Sequence, residues 1–481
     1  MTLATSAVRG AAATYGAQAV KVVTQVASVI VLARLLTPDE YGVVTMVLAI
    51  VGIATVFGDM GLSMAAMQSQ NLSQQQRSNL LWINAALGCL LGGAIALSAP
   101  LVAAFYGKPE LRQVAESLAV VFLLYALIPQ FRAEMASRFS FKWLAVSDAS
   151  AQGLAFLVAV VLAASGLGYW ALVWNQIVAA VITLTLIVLG ARWMPSRPRR
   201  TPGMKPLLRY GVDTLGVQLL TYVSGNLDNI LIGKAFGSGT LGLYSRASQL
   251  FRLPLQQIAT PLTPVAIPVL SRLQAEPDRF QEYARRAQLV LSYGLGAVLF
   301  VLIASAHPFV SVALGKQWVG AVPILQILAL GGAFQVFGYV YYWIFLALGE
   351  TRLQLKWSLI GRIVMMLMML ASLPFGVLGI AAAATLGQVL LWVLNTFWAL
   401  PRTAVRPLPL VAAALRPGLI YATFASCSVI LQYLFPPAGP IVALVLNFVG
   451  VAAAVFLAWL CSRNVRGDLR TIVHAGARLR K

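Results

Sequence analysis

Histidine and cysteine are nearly missing from this sequence, with two and three occurrences among 481 residues, and acidic side chains number 14. Neither His307 nor His474 has a partner at metal-ligand or catalytic-triad spacing. Cys89, Cys427 and Cys461 stand far apart inside apolar stretches, so neither a disulfide framework nor a metal cluster is expected and they read as small apolar residues. No P-loop pattern provides for ATP, and no paired acidic motif provides for a nucleotide-sugar metal. These absences argue against an enzyme. Also lacking is any connection long enough to hold a folded soluble domain.

Apolar residues fill the space. They make up 60% of the chain, charged residues make up 10%, and the mean hydropathy is +0.83, which is the composition of a polytopic membrane protein. Runs near the length of about 20 residues needed to cross a bilayer core recur at 10–33, 42–67, 80–105, 114–131, 144–165, 169–191, 207–233, 241–270, 287–313, 322–348, 353–373, 377–400, 412–434 and 440–461. The expected class is therefore all-α with about 14 transmembrane helices. Glu116 and the stretch from Tyr125 to Gln130 dilute the fourth run. The first run outlasts a signal-peptide core and no small-residue cleavage site follows it, so it is expected to stay as an anchor.

A net charge of +21 invites a nucleic-acid reading, but its distribution points to topology. With the N-terminus inside, one set of connections and both termini hold Arg132, Arg138, Lys142, Arg192, Arg197, Arg199, Arg200, Lys205, Arg272, Arg279, Arg285, Arg286, Arg402, Arg406, Arg463, Arg466 and Lys481. The opposite side holds Arg34, Lys108, Arg112, Lys234 and Lys316. The positive-inside rule then puts both termini in the cytoplasm of a multi-pass membrane protein. Attraction to anionic membrane lipid is a secondary effect.

Two segments rich in Pro and Arg, "RWMPSRPRRTPGMKP" and "PRTAVRPLPL", interrupt the apolar pattern. They divide the chain into a first lobe at 1–192 (helices 1–6), a linker at 193–206, a second lobe at 207–400 (helices 7–12), a linker at 401–411, two further helices at 412–462 and a basic tail at 463–481. Val8 to Val43 also aligns without a gap on Leu208 to Leu243, pairing Arg9, Thr14, Gly16, Gln18, Val23, Ile30 and Gly42 with identical residues 200 positions on. Six spans per repeat preserve orientation, so the two lobes are expected to be related by a pseudo-two-fold axis along the membrane normal.

The repeat carries polar residues with it. Thr14, Gln18, Lys21, Gln25 and Ser28 share one face of the first helix, and Thr214, Gln218, Thr221, Gly225 and Asp228 share the matching face of the seventh. Thr45, Gly52 and Asp59 line the second helix, and Ser245, Gln249, Arg252 and Gln256 the eighth. A charge at mid-bilayer costs about 2.5–3.5 kcal/mol on insertion scales. Lys21, Asp228 and Arg252, with Arg246 and Arg362 as further candidates, are thus expected to face a shared aqueous cavity or each other. A salt bridge within one lobe, or snorkelling to the headgroups, is the bland alternative, most of all for Asp59. Asp228, with Asn226, Asn229 and either Gln388 or Asn395, has the oxygen chemistry to bind Na⁺ or carry a proton; a packing hydrogen bond is the alternative. Trp318, Trp343 and Tyr339 to Tyr342 read as an aromatic belt, with stacking on sugar rings open to Tyr341 and Tyr342.

The segments "VIVLARLLTPDEYGVVTMVLAI", "FGDMGLSMAAMQ" and "NLDNILIGKAFGSGTLGLYSRASQLFRLP" resemble the polysaccharide transporters, the Wzx-type lipid-linked oligosaccharide flippases, within the larger group that includes multidrug extruders and lipid II flippases. The turns at Pro38 to Gly42 and Leu241 to Tyr244 are the most specific part. The resemblance implies two six-helix lobes around a cavity, alternating access, and carriage of an undecaprenyl-pyrophosphate-linked oligosaccharide to the outer face for O-antigen, capsule or exopolysaccharide synthesis. It also implies antiport of H⁺ or Na⁺, no other cofactor, and a polysaccharide polymerase with its chain-length machinery as partners. Joined to the residue pattern, it gives Lys21, Arg246, Arg252 and Arg362 to the pyrophosphate, and Gln18, Gln25, Gln249 and Gln256 to sugar hydroxyls. Asp228, Asn229 and Gln388 are the expected ion-coupling set. The rival readings are a multidrug extruder of the same fold, whose cavity should be acidic, and a membrane-embedded polymerase or ligase, which should carry a large outer loop.

Overall fold

The computed structural model describes residues 3–53, 73–138, 140–199, 201, 204–435 and 439–478, and among them every regular element is helical. Asp59 lies outside the described residues, as do the side chains of Thr14 and Thr214. Among the described residues, 11 helices are long and apolar enough to cross a bilayer. The second expected run enters the stretch outside the described residues. The seventh and eighth form one long element too diluted by polar residues and proline to join that count. The chain separates into two compact units, Met1–Gly242 and Leu243–Lys481.

The first unit holds α1 (Leu3–Leu35), α2 (Pro38–Val51), α3 (Gln74–Tyr106), α4 (Glu110–Ser137), α5 (Phe141–Ala164) and α6 (Trp170–Ala191), and the first arm of α7 (Met204–Arg272). Two of these helices start at a reciprocal cap. Thr37 accepts from the Glu40 N–H at 3.4 Å while Glu40 accepts from the Thr37 N–H at 2.7 Å, with Pro38 pre-set for the first turn. Ser73 and Gln76 repeat the device at α3.

Small residues decide which helices approach closely, since a bilayer offers no hydrophobic drive between them. On α3, a Cβ at Gly88 would meet the Ala126 Cβ of α4 at 2.6 Å, and one at Gly92 would meet the Ala119 carbonyl oxygen at 3.0 Å. Ala151, Ala155, Ala159 and Ala163, one per turn, form a buried stripe on α5. The diluted fourth run is a full helix whose carboxylates are paired. Arg112 donates to Glu116 at 2.8 Å, and buried Glu134 is held by Arg77 and, at 2.5 Å, by Arg138. Arg132 and Arg138 thus belong to α4 and its cap, not to a loop.

The proline-rich linker has no regular secondary structure at 193–199 and is fastened to the start of α3. The Asn79 amide donates to the Arg199 carbonyl at 2.7 Å and accepts from the Arg199 N–H at 3.2 Å. Gln75 donates to the Arg197 carbonyl, Trp82 to the Ser196 carbonyl, and the Ser196 N–H donates to Ser78. The strap uses the polar first turns of α3 as its acceptors and donors.

Gly237 breaks α7 with φ 81 and ψ 176, a conformation that requires glycine, and sits 200 residues after the Thr37 cap. Around these breaks the repeated hairpins touch reciprocally. A Cβ on Gly42 would lie 1.8 Å from the Ser238 carbonyl oxygen, and a Cβ on Gly242 would lie 1.8 Å from the Pro38 carbonyl oxygen. Positions 38 and 238, and 42 and 242, are equivalent in the repeat. Lys108 ties the junction by donating to Ser238 at 2.6 Å while lying 3.4 Å from Asp39. The Tyr222 hydroxyl donates to the Leu48 carbonyl at 2.8 Å.

The second unit holds the remaining arm of α7, then α8 (Pro277–Ala304), α9 (Ala306–Ala313), α10 (Val322–Leu348), α11 (Thr351–Ala371), α12 (Gly376–Leu394), α13 (Pro407–Leu434), α14 (Pro440–Cys461) and α15 (Arg463–Arg478). Trp318, Trp343 and Tyr341 are buried in its core, which corrects the aromatic-belt reading for these three. For Trp343 the cause is a hydrogen bond as well as packing, since its indole donates to Thr263 at 3.0 Å. Tyr342 is exposed. Asn447 of α14 docks by donating to Ser305 at 2.8 Å and accepting from Ser428. Asp468 of α15, buried, is clasped by Arg416 of α13 and lies 3.8 Å from Arg285 of α8. The three cysteines are unbridged and exposed on helix surfaces.

Candidate functional site

In the first unit, α1 carries the expected stripe at Gln18, Lys21 and Gln25, with Gln18 exposed and the other two half-buried. Lys21 does not stand alone on it. Its Nζ lies 3.7 Å from Asp148 Oδ2 of α5, and Asp148 also receives Arg132 of α4, with Nη1 at 3.3 Å from Oδ2 and Nη2 on Oδ1. A carboxylate is therefore held between two cations supplied by three helices. Neither Arg132 nor Asp148 was among the expected site residues. The signal was present, because Asp148 is the one carboxylate in the run at 144–165; Arg132 was hidden by being counted with the loop charges.

Asp228 is buried in the first arm of α7, and its Oδ1 accepts the Asn229 N–H at 2.8 Å. The Asn229 side-chain oxygen is buried with no hydrogen-bond partner, while Asn226 turns back to donate to the Tyr222 carbonyl at 3.0 Å. One carboxylate and one amide oxygen thus stand in adjacent positions with acceptor capacity, the chemistry a hard cation or a proton uses. Lys234 is held at the end of α3, donating to the Phe105 carbonyl with its ammonium 5.0 Å from the Phe105 ring centre. It makes a structural contact there.

In the second unit, Arg246 and Gln249 are brought together one turn apart on α7, with Nη1 donating to Oε1 at 2.6 Å. Arg252 and Gln256 are exposed along the same arm, and the Arg252 guanidinium lies 5.9 Å from the Phe251 ring. Arg362 on α11 and Gln388 on α12 are half-buried. No group of three or more His, Cys, Asp or Glu suited to a metal occurs among the described residues.

Residues 31–323 match the family model described as polysaccharide biosynthesis protein. The chain belongs to this family. The chain is 27% identical over 318 residues to the teichuronic acid biosynthesis protein TuaB of Bacillus subtilis strain 168, covering 63% of this chain and 64% of the relative. It is 24% identical over 373 residues to the lipopolysaccharide biosynthesis protein WzxC of Escherichia coli K12, covering 76% and 74%. The succinoglycan biosynthesis transport protein ExoT of Rhizobium meliloti is 24% identical over 300 residues, covering 62% and 61%. The match spans a little less than two thirds of TuaB and of ExoT. Among solved structures, the lipid II flippase MurJ in an inward closed conformation superposes with a TM-score of 0.75 at 13% identity, over 95% of this chain and 99% of that one. An inward-facing multidrug resistance MATE transporter gives 0.62 at 14% identity, over 85% and 95%. The chain is thus a multi-pass membrane protein with the fold of these two solved structures.

Proposed function

We propose that the chain is a flippase that carries undecaprenyl-pyrophosphate-linked oligosaccharide repeat units from the cytoplasmic to the outer face of the bacterial inner membrane by ion-coupled alternating access. One observation supports this most: four cations, Lys21, Arg246, Arg252 and Arg362, stand on helices of this fold, where an anionic cargo offsets part of the cost of charge in a membrane. The glutamines of the same stripes match the hydroxyls of a sugar headgroup. Asp228 with Asn229 takes the coupling role, and the coupling ion is H⁺ or Na⁺.

Deleting the gene tests the reading. Lipid-linked oligosaccharide should then accumulate on the cytoplasmic face, and a strain that exports it normally overturns the proposal. In reconstituted vesicles, Lys21→Ala and Arg252→Ala should weaken cargo binding, each by about tenfold or more, whereas Asp228→Asn should still bind cargo and lose its response to the ion gradient. The likeness to a multidrug transporter favours a second reading. Export of organic cations with no effect on the lipid-linked cargo would select it.

A further inference from the structure

Arg132, Lys21 and Asp148 come from α4, α1 and α5 and meet within the first unit. The Arg132 fork faces both oxygens of the carboxylate, the geometry that a guanidinium offers equally to a carboxylate and to a phosphate. The cluster is also out of charge balance, with two cations on one anion. A closed structural pair in a membrane helix is ordinarily matched and sealed, yet the side chains of Lys21, Arg132 and Asp148 remain 35%, 39% and 21% exposed. Lipid is a poor neighbour for such a group, so the open side calls for water or for a more highly charged anion.

Its depth fits a headgroup. Arg132 is five residues from the end of α4 and Asp148 seven from the start of α5. At 1.5 Å per residue both lie roughly 8–11 Å from the α4–α5 turn. Gln18 and Gln25 flank Lys21 by about one turn on either side, with amides to meet groups attached to that anion.

We infer that Asp148 is a displaceable counter-ion: it occupies the anion subsite formed by Lys21 and Arg132 when no cargo is bound, and a diphosphate takes its place. A diphosphate diester carries two negative charges, so it balances the two cations where the single carboxylate leaves one unmatched. Return of Asp148 to the cations drives the diphosphate off, which makes the residue a part of release as well as of selectivity. The inference deepens the proposed flippase reading and rests on it for the identity of the cargo; the subsite rests on the side chains alone.

Binding of inorganic pyrophosphate to the purified full-length protein in lipid nanodiscs tests this. Asp148→Asn should tighten binding by roughly tenfold or more, because the competing charge is gone, and Asp148→Glu should restore parental affinity. Lys21→Gln and Arg132→Gln should each weaken it. With lipid-linked cargo in vesicles, Asp148→Asn should lower both the half-saturating concentration and the turnover, a split that a scaffold residue would not produce. Unchanged or weaker pyrophosphate binding by a folded Asp148→Asn protein overturns the inference. A measurement on the parent protein guards against a variant that fails to fold: with isotope-labelled aspartate, the infrared difference spectrum on adding pyrophosphate should show a carboxylate leaving a guanidinium, and a spectrum without that band also overturns it. If gene deletion leaves cargo export intact while Asp148→Asn still tightens pyrophosphate binding, the counter-ion stands and the flippase reading falls.

Discussion

A single methyl group separates Gly42 and Gly242 from alanine, and at either position it would run into a carbonyl oxygen at 1.8 Å. Backbone cannot step aside as a flexible side chain does. Gly42→Ala and Gly242→Ala should each destabilise by about 2 kcal/mol or more, read as a lower unfolding temperature in detergent. Gly93, where an added methyl group would meet nothing within 4 Å, is the control, and Gly93→Ala should be neutral or gain up to about 1 kcal/mol. The glycine pair was legible in the sequence because the repeat aligned them. Arg132 was not, because hydropathy does not say where a helix continues beyond its apolar run. Arg132 follows the last apolar residues of the fourth run and so read as loop charge, whereas its pairing partner across the α4–α5 turn holds it on the helix.

Elements rather than residues carry the linker and the tail. The strap at 193–199 hangs on α3 through Asn79 and its neighbours, and Asn79→Ala removes two bonds to Arg199 worth about 1 kcal/mol each. Trypsin should then cut faster after Arg199, with overall unfolding temperature little changed. At the other end of the chain, Asp468→Asn strips the charge that Arg416 and Arg285 share. The arginines are only partly buried, so the cost should be roughly 2–3 kcal/mol, seen as early proteolysis of α15. Run length located most helices well, because the bilayer sets their length before tertiary packing acts. It was silent on the strap, whose order comes from side chains of α3 and not from its own sequence. The aromatic belt misplaced Trp343, since an indole that finds a partner inside a bundle, here Thr263, gains as much as one at the interface.

At the scale of the whole molecule, the asymmetry of Lys and Arg predicts which side each connection faces. A single cysteine at position 199 should resist a membrane-impermeant thiol reagent in intact cells and react in inside-out vesicles; labelling from outside would reverse the topology. The all-helical class followed from composition, and the family followed from residues clustered in the repeated hairpins. Position 38 meets 242 and position 42 meets 238, the exchange that defines an isologous contact in a symmetric pair. A surface of this kind is complete within one copy of the repeat, so a single hairpin carries both halves of the contact. Position 38 differs between the copies, Pro38 against Ser238, and the glycines that face it, Gly242 and Gly42, are the same.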